Sequence, residues 1–262
     1  MRTIAFVNKK GGVGKTRSAV EVAYILATIY QQRVLLADLD GQANATNVIL
    51  GRYRGDGVAS LLSGVSMCYD GVVEHTEVPN LDIMPSSDAL DTMDLEYMMG
   101  ERRPSFRALR DARDAMEEDD AYDVMVIDCP PHYSAGCLNA IAAADAIVIP
   151  TTTDAFAATG MDGLIAQIDN VRKICPTVRV AGCLVTRYSN DAVDQDALAY
   201  LREDCPVPVF DTVIRESTEK VKGSSWAGVT AQEWSTWCNT SRDYRKFAAE
   251  LAQKEGLIRE RA

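Results

Sequence analysis

Short apolar runs alternate with segments of helical period along most of the chain. Thr3–Asn8 (TIAFVN), Arg33–Asp38 (RVLLAD), Leu81–Met84 (LDIM), Val124–Asp128 (VMVID), Ala146–Thr151 (AIVIPT) and Val178–Val185 (VRVAGCLV) read as strands. They are apolar on successive positions rather than every second one, which predicts strands covered on both faces. A last strand is expected at Val207–Phe210 or Val209–Ile214. Between them the period changes to that of a helix. After Lys15, the residues Ala19, Val22, Ala23, Leu26, Ile29 and Tyr30 share one face. Ser105–Glu118 reads as a charged amphipathic helix, and helical patterns cover about 134–143, 155–174 and 191–203. Tyr244–Leu257 reads as a closing helix. Gly41–Gly57 reads as a surface segment with a short helix, and PSSDA after Met84 as a loop. Strand and helix alternating in this way predict an α/β fold: a doubly wound, mostly parallel sheet with helices on both faces. With no repeat or linker, residues 1–262 are expected to form one domain.

Composition narrows the class. Apolar residues make up 47% and charged residues 25%, a soluble globular balance. Seven cysteines occur without C-x-x-C spacing, which favours buried thiols in a reducing, cytoplasmic setting over a disulfide framework. The first residues are too short an apolar run for a signal peptide, and no stretch is long enough to span a bilayer. The net charge of −11 argues against global attraction to polyanions. The acidity is uneven, however. Residues 211–262 hold nine basic and eight acidic side chains, so a polyanion-binding surface is expected toward that end.

Candidate chemistry concentrates at Val7–Arg17, VNKKGGVGKTR. Gly11, Gly12 and Gly14 let successive main-chain N–H groups point inward at phosphate oxygens, and the helix after them adds its positive end. Lys15 is placed to reach the β- and γ-phosphates and Thr16 to ligate Mg²⁺. Val13 and Arg17 complete the expected nucleotide contacts. The strict phosphate-loop pattern needs glycine where Lys9 stands, and Lys10 follows. Asp128 ends a strand, as a magnesium-holding acid should. Asp38 and Asp40 lie just past another strand. In a doubly wound sheet these carboxyl ends gather on one edge, so both acids are expected near the loop.

These residues resemble the ParA/MinD family of deviant Walker A ATPases. KGGVGKT carries the deviant loop, VLLADLDGQANAT resembles the second motif, D-x-D-P-Q-x-N-A-T, and YDVMVIDCPP the Walker B segment. ADAIVIPTTTDAFAATGMDGL and VFDTVIRES are similar to later family segments. The resemblance implies ATP and Mg²⁺ as cofactors and ATP hydrolysis as the activity. It makes Lys10 the signature lysine, which crosses to the partner's nucleotide in an ATP-bound homodimer. A cation ~4 Å from a phosphate, at an effective dielectric of ~20, contributes roughly 4 kcal/mol before desolvation. Asp40 is implied to orient the attacking water, with Asp38 and Asp40 both in the Mg²⁺ shell and Asn44 in the switch segment. Gly41 replaces the usual proline, which predicts a floppier switch. Thr186, Arg187, Phe210 and Asp211 are the candidates for the adenine pocket. No role is assigned to Lys9.

The family further implies non-specific DNA binding by the ATP dimer, nucleoid association, and a ParB-like activator, serving plasmid or chromosome partition. Arg215, Lys220, Lys222, Arg242, Arg245 and Lys246 are candidate DNA contacts. Relatives often carry arginine where Ser217 stands. No helix-turn-helix extension precedes the loop, so operator binding is not expected. The alternative is a related ATPase that positions another cargo, such as a conjugation complex, or acts at a membrane surface. The tail LIRERA is too short and polar for a stable membrane anchor. A binding module without hydrolysis would predict loss of Asp40 or Asp128, and both are present. Trp226, Trp234 and Trp237 are expected in the core, and His75 and His132 in no metal site.

Overall fold

The computed structural model describes residues 1–66, 68–101, 105–153, 157–173, 175–216 and 227–258. Seven strands form one sheet: β1 (Arg2–Phe6), β2 (Val34–Asp38), β3 (Glu74–His75), β4 (Leu81–Met84), β5 (Val124–Asp128), β6 (Ala146–Thr151) and β7 (Arg179–Val185). Their order is β3-β4-β2-β5-β1-β6-β7. Every pairing is parallel except that of β3, a two-residue edge strand, with β4.

The apolar runs are continuous because both faces of the sheet are covered. Ala5, Leu35, Met125 and Ile147 look to one side. There they pack with α3 (Val58–Leu62), α4 (Ala89–Met98), α5 (Ala108–Glu118) and α6 (Ala135–Ala143). Ile4, Leu36, Val126 and Val148 look to the other, toward α1 (Lys15–Thr28) and the last helix, α10 (Asn239–Lys254). On α10, Tyr244, Phe247, Ala248 and Leu251 are all buried, and Phe247 meets the Phe210 ring edge-on at 5.0 Å. Among the described residues the remaining α-helices are α2 (Asn44–Leu50), α7 (Ala157–Arg172), α8 (Ala192–Asp204) and α9 (Ala231–Trp234). No helix among the described residues is long and apolar enough to cross a membrane.

Three expectations need correction. The last strand does not form: the segment after α8 meets β7 and its extension only in isolated bridges, Cys183 with Val209 and Tyr188 with Arg215. The prolines at 206 and 208 lack the N–H groups a ladder needs. The closing helix starts five residues early, at Asn239, where Cys238 caps it by accepting from the Ser241 N–H. Of the tryptophans expected in the core, Trp237 is 76% exposed and Trp234 47% exposed; Trp226 lies outside the described residues.

Candidate active site

Strand register builds the site. β2 and β5 run side by side with Asp38 opposite Asp128, and β1 pairs Phe6 with the same Asp128. The two acids therefore end neighbouring strands beside the point where β1 runs into the glycine loop. The sheet order reverses direction across β1, which is where open α/β sheets place their ligands.

The loop is held from behind. The Asn8 side chain donates to the Pro150 carbonyl at 2.7 Å and accepts from the Lys10 N–H at 2.9 Å. The Thr186 hydroxyl contacts the Val13 carbonyl at 2.9 Å and the Thr151 carbonyl at 3.0 Å. Gly14 caps α1 with φ 81°, a left-handed conformation that a side chain would strain. Lys15 is buried and its ammonium donates back to the Lys10 carbonyl at 3.1 Å. Burial lowers the Lys15 pKa, opposed by Asp128. Lys9, which had no role from sequence, sets its ammonium 4.0 Å over the Tyr133 ring.

The acids divide the work. Asp38 is fully buried. Its Oδ2 accepts from the Thr46 N–H and hydroxyl, each at 2.8 Å, and its Oδ1 from the Asp40 N–H at 3.2 Å. It thus ties down the turn that carries Asp40. Asp40 in turn accepts from the Gln42 N–H at 3.1 Å. Asp128 is also fully buried, and neither of its oxygens has a well-formed hydrogen bond. Burial and then Asp38 push its pKa well up, while the Thr16 hydroxyl and Lys15 pull the other way.

A cleft of about 620 Å³ opens over these groups, lined by Gly11, Gly12, Gly14, Lys15, Thr16, Arg17, Asp40 and Asn44. Gln42, Asp91, Pro131 and His132 line it too and had no assigned part. Asp91 comes from α4, some fifty residues away in sequence, and no local signal marks it. Gly41 admits it: a Cβ there would sit 2.4 Å from the Asp91 Oδ1. Gly41 has no left-handed φ, so its backbone does not itself require glycine.

Mg²⁺ and a phosphate chain fit these residues. Asp128 presents two unbonded, buried oxygens beside the Thr16 hydroxyl, hard donors of the kind Mg²⁺ takes alongside waters and phosphates. A Cβ at Gly11 or Gly12 would meet no protein atom within 4 Å, so the loop faces open space. Among the described residues no three His, Cys, Asp or Glu side chains converge into an all-protein metal cage.

Other candidates fall elsewhere. Phe210 is fully buried against Phe247 and cannot touch a nucleotide. Asp211 is exposed, its N–H bound to Glu250 on α10 and its carbonyl to Arg202 on α8, and it does not line the cleft. Arg187 follows Thr186 and pairs with Glu216 at 3.4 Å. Arg17 reaches the cleft, yet its guanidinium pairs with the buried Glu21 at 3.0 Å. Among the basic residues, Arg215 forms a two-pronged ion pair with the buried Asp243, at 2.7 and 2.9 Å, which engages its charge locally. The Arg245 guanidinium hydrogen-bonds the Thr236 carbonyl. Arg242 and Lys246 are exposed on one face of α10, and Lys220 and Lys222 lie outside the described residues. His75 pairs with Asp82 at 2.9 Å.

Sheet order, loop and paired acids define a P-loop nucleotide-binding protein. A family model described as an AAA domain matches residues 1–179. The chain is 36% identical over 253 residues to the chromosome-partitioning ATPase Soj of Thermus thermophilus, covering 96% of this chain and 95% of that one. It is 32% identical over 259 residues to the chromosome partitioning protein ParA of Caulobacter vibrioides, covering 97% and 95%. Among solved structures, cobyrinic acid a,c-diamide synthase of Mycobacterium smegmatis, with a bound ATP analogue and magnesium, superposes with a TM-score of 0.81. That match is 26% identical and covers 97% of this chain and 94% of the other. The chain belongs to the ParA/Soj family of P-loop ATPases.

Proposed function

We propose that this chain is a partitioning ATPase: it closes into a homodimer on ATP and Mg²⁺, binds DNA without sequence preference, and releases it when a ParB-like partner stimulates hydrolysis. The observation that carries the catalytic part is the pair of register-matched acids, Asp38 and Asp128, at the foot of the glycine loop. The partition reading is supported by the family and by relatives of nearly full length that are named for chromosome partitioning.

ATP would supply the phosphoanhydride bond to be cleaved, and Mg²⁺ the positive charge that offsets Asp128 and its neighbouring acids. The chain's own residues do the rest. The N–H groups of Gly11 to Thr16 and the start of α1 cradle phosphate oxygens. Lys15 holds β- and γ-oxygens, and its burial strengthens that contact. Thr16 and Asp128 hold the metal; Asp38, with its oxygens already in use, fixes Asp40 and Thr46 rather than ligating directly. Asp40 orients the attacking water. Lys10 reaches to the facing protomer's phosphates, which makes the dimer conditional on the triphosphate. Arg187 borders the base, and Arg242 and Lys246 contribute to the DNA surface with Lys220 and Lys222.

The test is a mobility-shift titration of random duplex DNA at low and moderate salt, with ATP, ADP or neither. Binding only with ATP, weakening steeply with salt, is expected. No shift with ATP at low salt would turn the reading toward the positioning of another cargo.

A further inference from the structure

The edge of the sheet farthest from β3 carries two thiols that no part of the nucleotide chemistry uses. Cys183 lies in β7 and is fully buried; Cys205 follows the last turn of α8 and is half-buried. Their sulfurs are 3.8 Å apart. The main chain brings them together. The Cys205 N–H donates to the Leu201 carbonyl at 3.1 Å, closing α8. The chain then folds back along β7, with the Cys183 N–H on the Pro208 carbonyl at 2.7 Å and the Phe210 N–H on the Cys183 carbonyl at 2.9 Å. Both sulfurs are thus fixed by hydrogen-bonded backbone on either side, not by loose loops.

We propose that Cys183 and Cys205 are a reversible oxidation site, which a peroxide converts to an intramolecular disulfide. A disulfide needs its sulfurs ~2.05 Å apart, so rotation about the side chains has to close the remaining ~2 Å. Cys205, the less buried of the two, acts first. Its thiolate attacks one peroxide oxygen; the S–O bond forms, the O–O bond breaks, and the departing hydroxide takes a proton as water. The Cys183 sulfur then attacks the sulfenic sulfur of Cys205. The S–S bond forms, the S–O bond breaks, and the Cys183 proton leaves with the second water. Two thiols lose two electrons and one peroxide becomes two waters. The acid–base arrangement agrees with this order: the contact with Cys183 holds the Cys205 pKa down to about 6, while that of the more buried Cys183 is raised.

The bond would staple the end of α8 to β7 and pin the returning segment. Beyond it, the Tyr188 N–H binds the Ile214 carbonyl and Thr186 grips the Val13 carbonyl of the phosphate loop. The staple therefore sits on the same edge that supports the loop.

The experiment treats the full-length protein with hydrogen peroxide, quenches it with excess alkylating reagent under denaturing conditions, and maps peptides by mass. The expected result is two fewer alkylated thiols, a cross-linked peptide pair containing Cys183 and Cys205, recovery of both thiols on reduction, and a raised melting temperature for the oxidised form. Cys205→Ser should abolish the cross-link while leaving the reduced protein's melting temperature close to the parent's. Cysteines 183 and 205 both remaining alkylatable, Cys205 advancing to sulfinic acid without a cross-link, or Cys183 pairing with a different cysteine would each overturn the proposal. The unsubstituted protein alone decides it, so a poorly folding variant would not obscure the answer.

Discussion

Asp128→Asn removes a charge that the fold holds with only the Thr16 hydroxyl and the Lys15 ammonium to offset it. Both carboxylate oxygens are buried and lack well-formed hydrogen bonds, and Asp38 stands opposite in register. Asp38 has three donors on its own oxygens, yet burial still raises its pKa to about 6 from 3.8. A rise of about 2 units corresponds to roughly 3 kcal/mol against the ionised form at neutral pH. Asp128, with less to hold its charge, is shifted in the same direction. Because these folded-state values lie above the unfolded ones, the stability they contribute is full below about pH 4 and is lost as the pH climbs through 6. The asparagine has no charge to bury, relieves Asp38, and gives up no well-formed hydrogen bond. Without nucleotide, the variant should therefore be more stable than the parent at pH 7.5 by ~1–3 kcal/mol, or ~2–10 °C in melting temperature for a chain of this size. The gap should shrink as the pH falls toward 5.

Magnesium and ATP should invert that order. The parent gains from a ligand that binds only its folded form, whereas the variant has lost the carboxylate that holds the metal. Thermal melts of both proteins from pH 5 to 8, with and without Mg²⁺ and ATP, test each half. A variant less stable than the parent at pH 7.5 without nucleotide, or a gap that widens on acidification, would refute the electrostatic argument. An equal gain with Mg²⁺ and ATP would refute the assignment of Asp128 to the metal.

Lys10→Ala should bind ATP but fail to dimerise; light scattering that still shows an ATP-dependent dimer removes the signature-lysine role. Asp40→Ala should keep ATP binding while hydrolysis falls by ~10²-fold or more, and normal phosphate release would reject Asp40 as the water-orienting group. Gly41→Ala should turn the exposed Asp91 side chain aside at a cost of no more than ~1 kcal/mol, because the new Cβ meets only its carboxylate end. A larger loss in thermal melts would mean that something other than this contact sets the need for glycine. Alanine at both Arg242 and Lys246 should weaken ATP-dependent DNA binding and flatten its salt dependence, read by fluorescence anisotropy; an unchanged salt slope moves the surface elsewhere.

What could be read from the chain beforehand follows from the range of each interaction. The strands and the loop were legible because burial on both faces writes itself into consecutive residues, and because cradling a phosphate needs glycines at fixed neighbouring positions. Asp38 and Asp128 could be placed on one edge of the sheet from strand direction alone. That they stand opposite each other depends on the register of β2 against β5, ninety residues apart, and no local pattern carries that. The same limit explains the misplacements. Phe210 sits in an apolar run that reads as a strand, but its fate is decided by Phe247 on α10. Arg215 looks like a free cation until Asp243, twenty-eight residues on, is folded against it. Helix α4 escaped notice for a related reason: Leu90 and Met93 pack into the core, but Asp91 faces the cleft and Asp94 binds the Ala135 N–H, so polar residues break its apolar stripe. A helix that serves both a core and a charged cleft carries a mixed pattern, and the residues that blur it are those the site uses. Asp91 is therefore the position where a weak helical signal and a contribution to the cleft have one physical cause.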